Sequence, residues 1–497
     1  MGKRTQHSGN ARIHVFGVLI LLVTSLVIYK LFTLTFVQHE ALALAAKNQQ
    51  SAPSARLSGR GSIYAFDLSA NQRKLVAVSE IKRVYPLGMF AAHVLGFVGY
   101  SGRNRVGQYG VEASYDNVLS GLKRTQTWTL KSMDSSRDGE DIVLTIDPNI
   151  QDYVAAKLNA VLKRWSSPHG TIIVQDPMTG AILAMASSPS FDPNNYQTYG
   201  LSDFPNPATQ EIFEPGSSFK PITMSAAIDS GAVTPDTTYN DTGAVTIGAY
   251  TIRNYNEKAN GIQTMRQVLE RSLNTGTIFA ERKTGDDTFL NYIVAFGIGQ
   301  KAGIDLGGEL SGNISNLYQG RAVNFATASF GQGIAVTPLQ LINAYSAIAN
   351  GGKLMRPYVV KEILHPDGST TPTVQKILGA PITEKTATQM KSILTDVVDR
   401  GFDKARIKGY DIAGKTGTAQ IPDLSRGKAD ARGGYLEDKQ FIHNFVGFAP
   451  SYNPRFVVLI KMDRPQGITF AADSLSPVFG DIAQYLIRYF KIPPTRS

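Results

Sequence analysis

Residues 214–221 read EPGSSFKP, and this short stretch combines a turn, a helix start and reactive side chains. Pro215 and Gly216 are a turn-forming pair, and an apolar helical pattern begins directly after them. Side chains at positions i and i+3 of a helix share one face, so Ser217 and Lys220 are predicted to lie side by side. Two interpretations are open: Ser217 caps an ordinary helix, or it is a nucleophile with Lys220 as its base.

A Ser-x-x-Lys match is weak evidence when taken alone. The chain contains three further matches, which begin at Ser79, Ser120 and Ser425. A lysine acts as a base only when its pKa falls far below the ordinary range, and burial and a second nearby cation both lower it. The nucleophile hypothesis therefore requires another basic residue and more hydrogen-bonding groups in the same site.

Two tripeptides further along the chain supply these groups. Ser272 and Asn274 belong to the segment RSLNTG, and Lys415, Thr416 and Gly417 belong to GKTGTAQ. Each tripeptide type also occurs elsewhere in the chain, so neither is specific on its own. The ordered set Ser-x-x-Lys, Ser-x-Asn, Lys-Thr-Gly is far more specific than any of its members.

The two copies of Lys-Thr-Gly have different surroundings. Residues 283–285 end a helical pattern with glycine in the C-cap position, which indicates a structural role. The copy at Lys415 is predicted to lie on an inner strand of a sheet. Gly417 on that strand allows the backbone of a ligand to come close.

The segments around these motifs predict an α+β domain. Residues 141–147 have a strand pattern, and residues 148–165 carry apolar side chains at helical spacing. Residues 170–187 read as strand, turn and strand, with a turn at 176–180. Two more strands, in 441–462, and an amphipathic helix at 476–490 close the chain.

An apolar segment near the N-terminus predicts a membrane anchor. Residues 13–37 are long enough to span a bilayer as a helix. Lysine and arginine precede the segment, so residues 1–12 are expected in the cytoplasm and the rest of the chain outside it. A cleaved signal peptide ending near 41–46 is the alternative, although the apolar run is longer than such peptides need. A buried helix of a soluble protein is a weaker alternative.

The amino-acid composition limits the kinds of catalytic and binding site that the chain can form. The chain has 497 residues and no cysteine, so it contains no disulfide and no cysteine-based metal or redox site. The seven histidines form no H-E-x-x-H pattern, so no metal site and no cofactor are expected. Most of the net charge of +10 lies in the first 140 residues, which suits an anionic lipid surface or nucleic acid, or simple solubility. With the anchor, a lipid surface is favoured over nucleic acid.

Beyond the three motifs, the chain resembles the class B penicillin-binding proteins, which are bacterial peptidoglycan D,D-transpeptidases of the septal or elongation type. The resemblance implies an antiparallel sheet flanked by helices, as in serine β-lactamases, over residues 141–497. It implies a pedestal, similar to the family's dimerisation domain, over residues 38–140, and this pedestal is shorter than usual. The similar blocks, in family order, are RGSIYA, YPLGMFAAHVLGFVGY, DIVLTIDPNIQ, DPMTGAILAMASSPSFDPN, EPGSSFKP, SFGQGIAVTPLQL, GKTGTAQ and FVGFAP.

The resemblance also implies roles for the motif residues. Ser217 attacks a D-Ala-D-Ala stem peptide, and Lys220 takes the proton of the serine. Ser272 relays a proton, Asn274 binds the substrate amide, and Lys415 binds the terminal carboxylate. The remaining implied contacts are Thr416 and Gly417 for substrate binding, and the backbone N–H groups of Ser217 and Thr418 for an oxyanion hole.

Partners and location follow from the same resemblance. The implied substrates are stem peptides of the lipid-linked precursor, and β-lactams are the implied inhibitors. A polytopic glycosyltransferase and other division proteins of the cytoplasmic membrane are the implied partners, with a slight preference for the septal role. The alternatives are an elongation-type transpeptidase, a β-lactamase or β-lactam sensor, and a non-catalytic scaffold.

Overall fold

The structure is a computed structural model that describes residues 20–30, 59–79, 82–102, 104–121, 139–401, 403–422, 435 and 440–496. The chain divides into two compact units. One unit comprises residues 57–98 and 107–497, and it contains all three sequence motifs. The other comprises residues 1–56 and 99–106.

The described residues contain the following strands: β1 Ile63–Asp67, β2 Gln72–Ser79, β3 Arg83–Val84, β4 Phe97–Ser101, β5 Asn104–Gln108, β6 Asp141–Leu144, β7 His169–Gln175, β8 Ile182–Ser188, β9 Thr238–Asp241, β10 Ala244–Ile247, β11 Tyr250–Arg253, β12 Gly261–Thr264, β13 Leu354–Met355, β14 Val360–Leu364, β15 Thr370–Pro372, β16 Ile377–Gly379, β17 Ala413–Gln420, β18 Phe441–Ala449 and β19 Phe456–Asp463.

Besides a helical segment at residues 20–30, the described residues contain the following α-helices: α1 Ala92–Leu95, α2 Gly110–Ser114, α3 Asp116–Leu119, α4 Pro148–Arg164, α5 Pro207–Gln210, α6 Lys220–Asp229, α7 Met265–Glu270, α8 Asn274–Thr284, α9 Asp286–Ala295, α10 Ala322–Ala328, α11 Pro338–Ala349, α12 Glu384–Gly401, α13 Ala471–Ser474 and α14 Ser476–Tyr489. Short 3-10 helices cover Pro193–Thr198, Leu201–Asp203, Gly216–Phe219, Leu317–Gln319 and Asp403–Ala405.

The main sheet has five strands in the order β17-β18-β19-β7-β8, and all its neighbours pair antiparallel. Its strands are almost continuously buried, because helices cover both faces. Helices α4 and α14 pack on one face, and α11 packs on the other. The predicted α+β fold, its hairpin and its closing strands and helix are thereby confirmed.

Strand β17, which carries Lys415, is an edge strand of this sheet, so the expectation of an inner strand was wrong. Its residues are nevertheless buried, apart from the partly exposed Thr418 and the exposed Gln420. The 3-10 helix Gly216–Phe219 packs against β17 and supplies the burial that a neighbouring strand would otherwise give. The candidate nucleophile is thereby brought to the strand of the third motif.

A second sheet has six strands in the order β15-β14-β6-β1-β2-β3. The N-terminal strand β1 pairs in parallel with β6, and β6 pairs antiparallel with β14, which lies more than 200 residues further on. The β-like sequence KLVAV, residues 74–78, lies within β2.

Most of the predicted membrane anchor, residues 13–37, lies outside the described residues. Its described part, residues 20–30, is helical, and its side chains are exposed. Over the described ranges, no helix combines the length and apolar character that crossing a membrane requires.

A buried ion cluster holds the N-terminal segments of the larger unit together. Glu112, which is fully buried, lies 2.5 Å from Arg60 Nη2 and 2.6 Å from Arg83 Nε, and it accepts a hydrogen bond from Tyr85 Oη. Burial disfavours ionisation of Glu112, but the charges of Arg83 and Arg60 outweigh it and lower the pKa of the carboxyl group.

We expect Glu112→Ala to reduce the free energy of unfolding by about 3–5 kcal/mol, because the buried guanidinium groups of Arg60 and Arg83 lose the carboxylate that they share. The contribution of the cluster is present above the carboxyl pKa of the unfolded chain, and it is lost as the pH falls through the lowered folded pKa. Urea unfolding measures both effects. Asp481→Asn is the matched control: Asp481 pairs with Lys157 at 2.6 Å with its side chain 57% exposed, and its loss should cost less than about 1 kcal/mol.

Candidate active site

The turn that carries Ser217 is short and strongly bent. Gly216 has φ of 59°, a left-handed conformation that glycine adopts without strain, and the 3-10 helix Gly216–Phe219 continues directly into α6. Ser217 and Lys220 therefore lie one turn apart, as predicted. The hydroxyl group of Ser217 makes no capping bond at the start of either helix, which argues against the simple helix-cap interpretation.

Lys220 is fully buried, and its Nζ lies within hydrogen-bonding distance of three oxygen atoms of the second motif. Its Nζ lies 2.6 Å from the carbonyl oxygen of Ser272, 3.3 Å from Ser272 Oγ and 2.8 Å from Asn274 Oδ1. The structure thus joins two motifs that are more than 50 residues apart in the sequence.

The loop that presents the second motif has a specific backbone shape. Ser272 has φ of 55°, which is uncommon for a residue other than glycine. This conformation turns the chain sharply between α7 and α8, so that Asn274 becomes the first residue of α8. Asn274 Nδ2 donates to the carbonyl oxygen of Arg253 at 2.9 Å, which directs its Oδ1 to Lys220.

Two buried lysines share this site. Burial lowers the pKa of Lys220 far below its ordinary value, and the charge of Lys415 lowers it further. Burial lowers the pKa of Lys415 to about 7. The lowered pKa of Lys220 favours its neutral amine, whose lone pair can accept a proton. Lys415 is therefore the second basic residue that the nucleophile hypothesis required.

The third motif lies along β17. Lys415 is fully buried and donates to the carbonyl oxygen of Thr416 at 3.2 Å. Thr416 is 8% exposed. The hydroxyl group of Thr418 accepts a hydrogen bond from the N–H of Ala471 at 3.0 Å, so this side chain holds the start of α13.

Gly417 is where the nucleophile turn comes closest to β17. A Cβ atom at this position would lie 2.4 Å from the carbonyl oxygen of Pro215 and 2.6 Å from Asn444 Nδ2. Asn444 Nδ2 also donates to the same Pro215 oxygen at 3.0 Å. The glycine therefore allows the turn of Ser217 to pack on the strand, in addition to any contact with substrate.

Gly417→Ala should lower the free energy of unfolding by about 1–3 kcal/mol, because the added methyl group displaces buried backbone atoms. We also expect slower acylation of Ser217, since the displaced atoms belong to its turn. Thermal unfolding and the rate of labelling by a fluorescent penicillin measure the two effects. Gly379→Ala serves as the control, because a Cβ there meets no atom within 4 Å, and an equal loss in both variants would contradict the argument.

Sequence reasoning missed several residues that shape the site. Asn444 donates to Pro215 in the nucleophile turn, Glu214 accepts a hydrogen bond from the N–H of Gly333, and Gly331 accepts one from the N–H of Gly216 at 2.9 Å. The available signals were the family-like blocks EPGSSFKP and SFGQGIAVTPLQL and the strand pattern in residues 441–462, which contain these residues.

Two family models match the chain. Residues 170–484 match the penicillin-binding protein transpeptidase domain, and residues 61–144 match the penicillin-binding protein dimerisation domain. The transpeptidase match includes all three motifs. The dimerisation match covers the N-terminal segments that form β1 to β6.

Individual proteins agree with these models. Stage V sporulation protein D of Bacillus subtilis is 35% identical over 452 residues, which cover 87% of this chain and 68% of that protein. The probable peptidoglycan D,D-transpeptidase PenA of Neisseria meningitidis is 30% identical, over 84% of this chain and 70% of that protein. The crystal structure of penicillin-binding protein 3 of Mycobacterium tuberculosis with aztreonam is similar with a TM-score of 0.74 and 29% identity, over 88% of this chain and 97% of that one.

The order of the three motifs, the contacts of Lys220 with the second motif and the two matching family models all indicate the same family. The chain belongs to the class B penicillin-binding proteins of the transpeptidase family.

Proposed function

We propose that Ser217 is the nucleophile of a serine-type peptidoglycan D,D-transpeptidase, and that the chain cross-links stem peptides in bacterial cell-wall synthesis. One observation carries the proposal: the fully buried Lys220, one turn after Ser217, is bonded to Ser272 and Asn274 and lies in the field of a second buried lysine. The names of the relatives support the same reaction.

The first half of the reaction forms an ester. Ser217 Oγ attacks the carbonyl carbon between the two D-Ala residues, and neutral Lys220 accepts the hydroxyl proton. The C–N bond breaks, and Ser272 passes a proton to the departing amine of the terminal D-Ala. The peptide remains bound as an ester of Ser217.

The second half forms the cross-link. The amine of a neighbouring stem peptide attacks the ester carbonyl, the C–O bond to Ser217 breaks, and the serine regains its proton from the lysine side of the site. Water in place of the amine gives hydrolysis. The proton transfers of the first half run in reverse here: Ser272 accepts the proton that the attacking amine loses, and Lys220 returns a proton to Ser217 Oγ.

The other motif residues bind the donor peptide and stabilise the oxyanion. Lys415 and Thr416 bind the terminal carboxylate of the donor peptide, while Asn274 binds its amide and holds Lys220. The backbone N–H groups of Ser217 and Thr418 stabilise the oxyanion, and Gly417 gives the donor backbone room to approach. Loss of one oxyanion donor typically costs about 10²- to 10³-fold in rate.

The architecture and partners belong to the same proposal. Residues 1–12 are cytoplasmic, residues 13–37 anchor the chain in the cytoplasmic membrane, residues 38–140 form the short pedestal and residues 141–497 form the extracytoplasmic transpeptidase domain. A polytopic glycosyltransferase and other division proteins are the proposed partners. The septal role is preferred, with the elongation role as the alternative.

The lifetime of the penicillin adduct tests the reaction class. The full chain in detergent is labelled with a fluorescent penicillin, the excess drug is removed, and the remaining label is followed with time. A transpeptidase of this family is expected to keep the label for many minutes. Loss of the label within seconds, with continuous drug turnover, would instead indicate a β-lactamase. A folded chain that never becomes labelled would favour the scaffold alternative.

A further inference from the structure

Glu214, three residues before Ser217, is a buried acid that the proposed mechanism does not use. Its side chain carries two hydrogen bonds within the larger unit. Oε1 accepts from the backbone N–H of Gly333 at 3.0 Å, and Oε2 accepts from the hydroxyl group of Tyr435 at 2.9 Å. The residue is 9% exposed. Across the described ranges, no lysine, arginine or histidine forms an ion pair with it.

The first contact joins Glu214 to the turn Gly331–Gly333, which lies directly against the turn of Ser217. Phe213 and Val336 exchange two backbone hydrogen bonds of 2.9 Å, and the N–H of Gly216 donates to the carbonyl oxygen of Gly331 at 2.9 Å. A Cβ atom on Gly331 would lie 2.2 Å from the carbonyl oxygen of Gly216. Movement of this glycine turn is therefore transmitted to the backbone beside Ser217.

The second contact joins Glu214 to the continuation of the strand that carries Lys415. Tyr435 pairs with Pro422, two residues beyond the end of β17. The side chain of Gln332, in the glycine turn, also donates to Gln420 Oε1 at 3.3 Å. One carboxylate thus connects the nucleophile turn, the glycine turn and the outer end of β17.

A buried carboxylate with no cationic partner is costly, so stability alone gives a poor reason for an acid here. Burial raises the pKa of Glu214 to about 7, while the bonds from Tyr435 and Gly333 oppose the rise. Tyr435 is the titratable side chain that contacts Glu214 within the described residues. Lys220 and Lys415 titrate in the adjoining site.

We propose that Glu214 is a positioning residue for the acyl-transfer reaction, and that its ionised carboxylate holds the glycine turn and Tyr435 against the turn that carries Ser217. The inference rests on the proposed function. An ionised carboxylate accepts both bonds strongly, whereas a protonated carboxyl group accepts the bonds from Tyr435 and Gly333 more weakly. Protonation of Glu214 therefore loosens the nucleophile turn and slows acylation.

Glu214→Gln reproduces the protonated form with nearly the same shape. We would measure the rate constant of Ser217 labelling by a fluorescent penicillin, for the full chain in detergent, from about pH 5.5 to about pH 8.5. The ratio of the wild-type rate to the Glu214→Gln rate is expected to rise from about 1 at low pH to about 5 at high pH. A factor of this size corresponds to the difference in strength between a charged and a neutral hydrogen bond. The midpoint should lie near the pKa of about 7. Titration of the two lysines affects both proteins and cancels in the ratio.

Two further variants make the result specific. Glu211→Gln removes a carboxylate whose side chain is 47% exposed. The ratio of the wild-type rate to the Glu211→Gln rate should stay at about 1 over the whole pH range. Tyr435→Phe keeps the carboxylate and removes one donor, so it should slow labelling about 2- to 5-fold at high pH and less at low pH. If Glu214→Gln has a lower melting temperature than the wild type, the Tyr435→Phe rates are used to test the proposal instead.

The outcomes separate the two proposals. A ratio that rises with pH supports the role of the ionised carboxylate. A ratio that stays constant with pH, whether at 1 or at a higher value, overturns it, even though Ser217 is labelled. If the folded wild type is never labelled on Ser217, the proposed function has failed, and the comparison at Glu214 is not needed to show that.

Discussion

Ser217→Ala is expected to lower the rate of D-Ala release from a D-Ala-D-Ala stem peptide by about 10⁵- to 10⁶-fold, as for other serine acyl-transfer enzymes that lose their nucleophile. Without the hydroxyl group no ester can form, and the remaining rate reflects binding and the oxyanion donors alone. The fold should persist, because the Ser217 hydroxyl group caps neither of the helices that meet there. The release of D-Ala by the full chain in detergent measures the effect.

A second serine in the same region provides the matched control. Ser230 follows the end of α6, and its hydroxyl group donates to the carbonyl oxygen of Ala227 at 3.2 Å. Ser230→Ala should leave the rate within about 2-fold of the wild type, since this bond lies at the far end of the helix. If Ser217→Ala kept more than a hundredth of the wild-type rate, another residue would have to be the nucleophile.

Lys220→Ala is expected to slow acylation of Ser217 by about 10³- to 10⁴-fold, because it removes the base and the group that orients Ser272 and Asn274. The pH dependence supplies a second readout. A base must be neutral, so the acylation rate rises with pH through the pKa of Lys220 and levels off above it. Burial and the charge of Lys415 lower that pKa, which places the rise below the ordinary range of lysine.

Lys415→Met removes the charge that helps to lower the pKa of Lys220. The rise of the acylation rate should therefore move to higher pH. Its plateau should also fall, since Lys415 is proposed to bind the donor carboxylate. Lys283→Ala is the matched control, because Lys283 belongs to the second Lys-Thr-Gly, at the end of α8, where Gly285 ends the helix. An unchanged pH profile in Lys415→Met would contradict the coupling between the two lysines.

Local pattern predicted most of the elements around the site. The helical spacing in residues 148–165 corresponds to α4, and the strand–turn–strand pattern corresponds to β7 and β8. The glycine that ends the decoy Lys-Thr-Gly has φ of 83°, a conformation that favours glycine and closes a helix. These features are determined by residues that are close together in the sequence, so they can be predicted from one sequence alone.

The position of a strand in its sheet does not follow from local pattern. The burial of β17 looks like that of an inner strand, yet its outer side is covered by the turn of Ser217 from 200 residues earlier. Strand β6 was assigned to the C-terminal domain by its place in the sequence, and it pairs with β1 and β14. Glu214 was missed for the same reason, because Gly333 and Tyr435 are both remote from it in the sequence.

The most direct test of the account is to identify the atom that β-lactams modify. The full chain in detergent is reacted with a penicillin, digested and sequenced by tandem mass spectrometry. We expect one stoichiometric adduct, on Ser217 within the peptide that contains EPGSSFKP. An adduct on another residue, or a folded chain that stays unmodified at saturating drug, would contradict it.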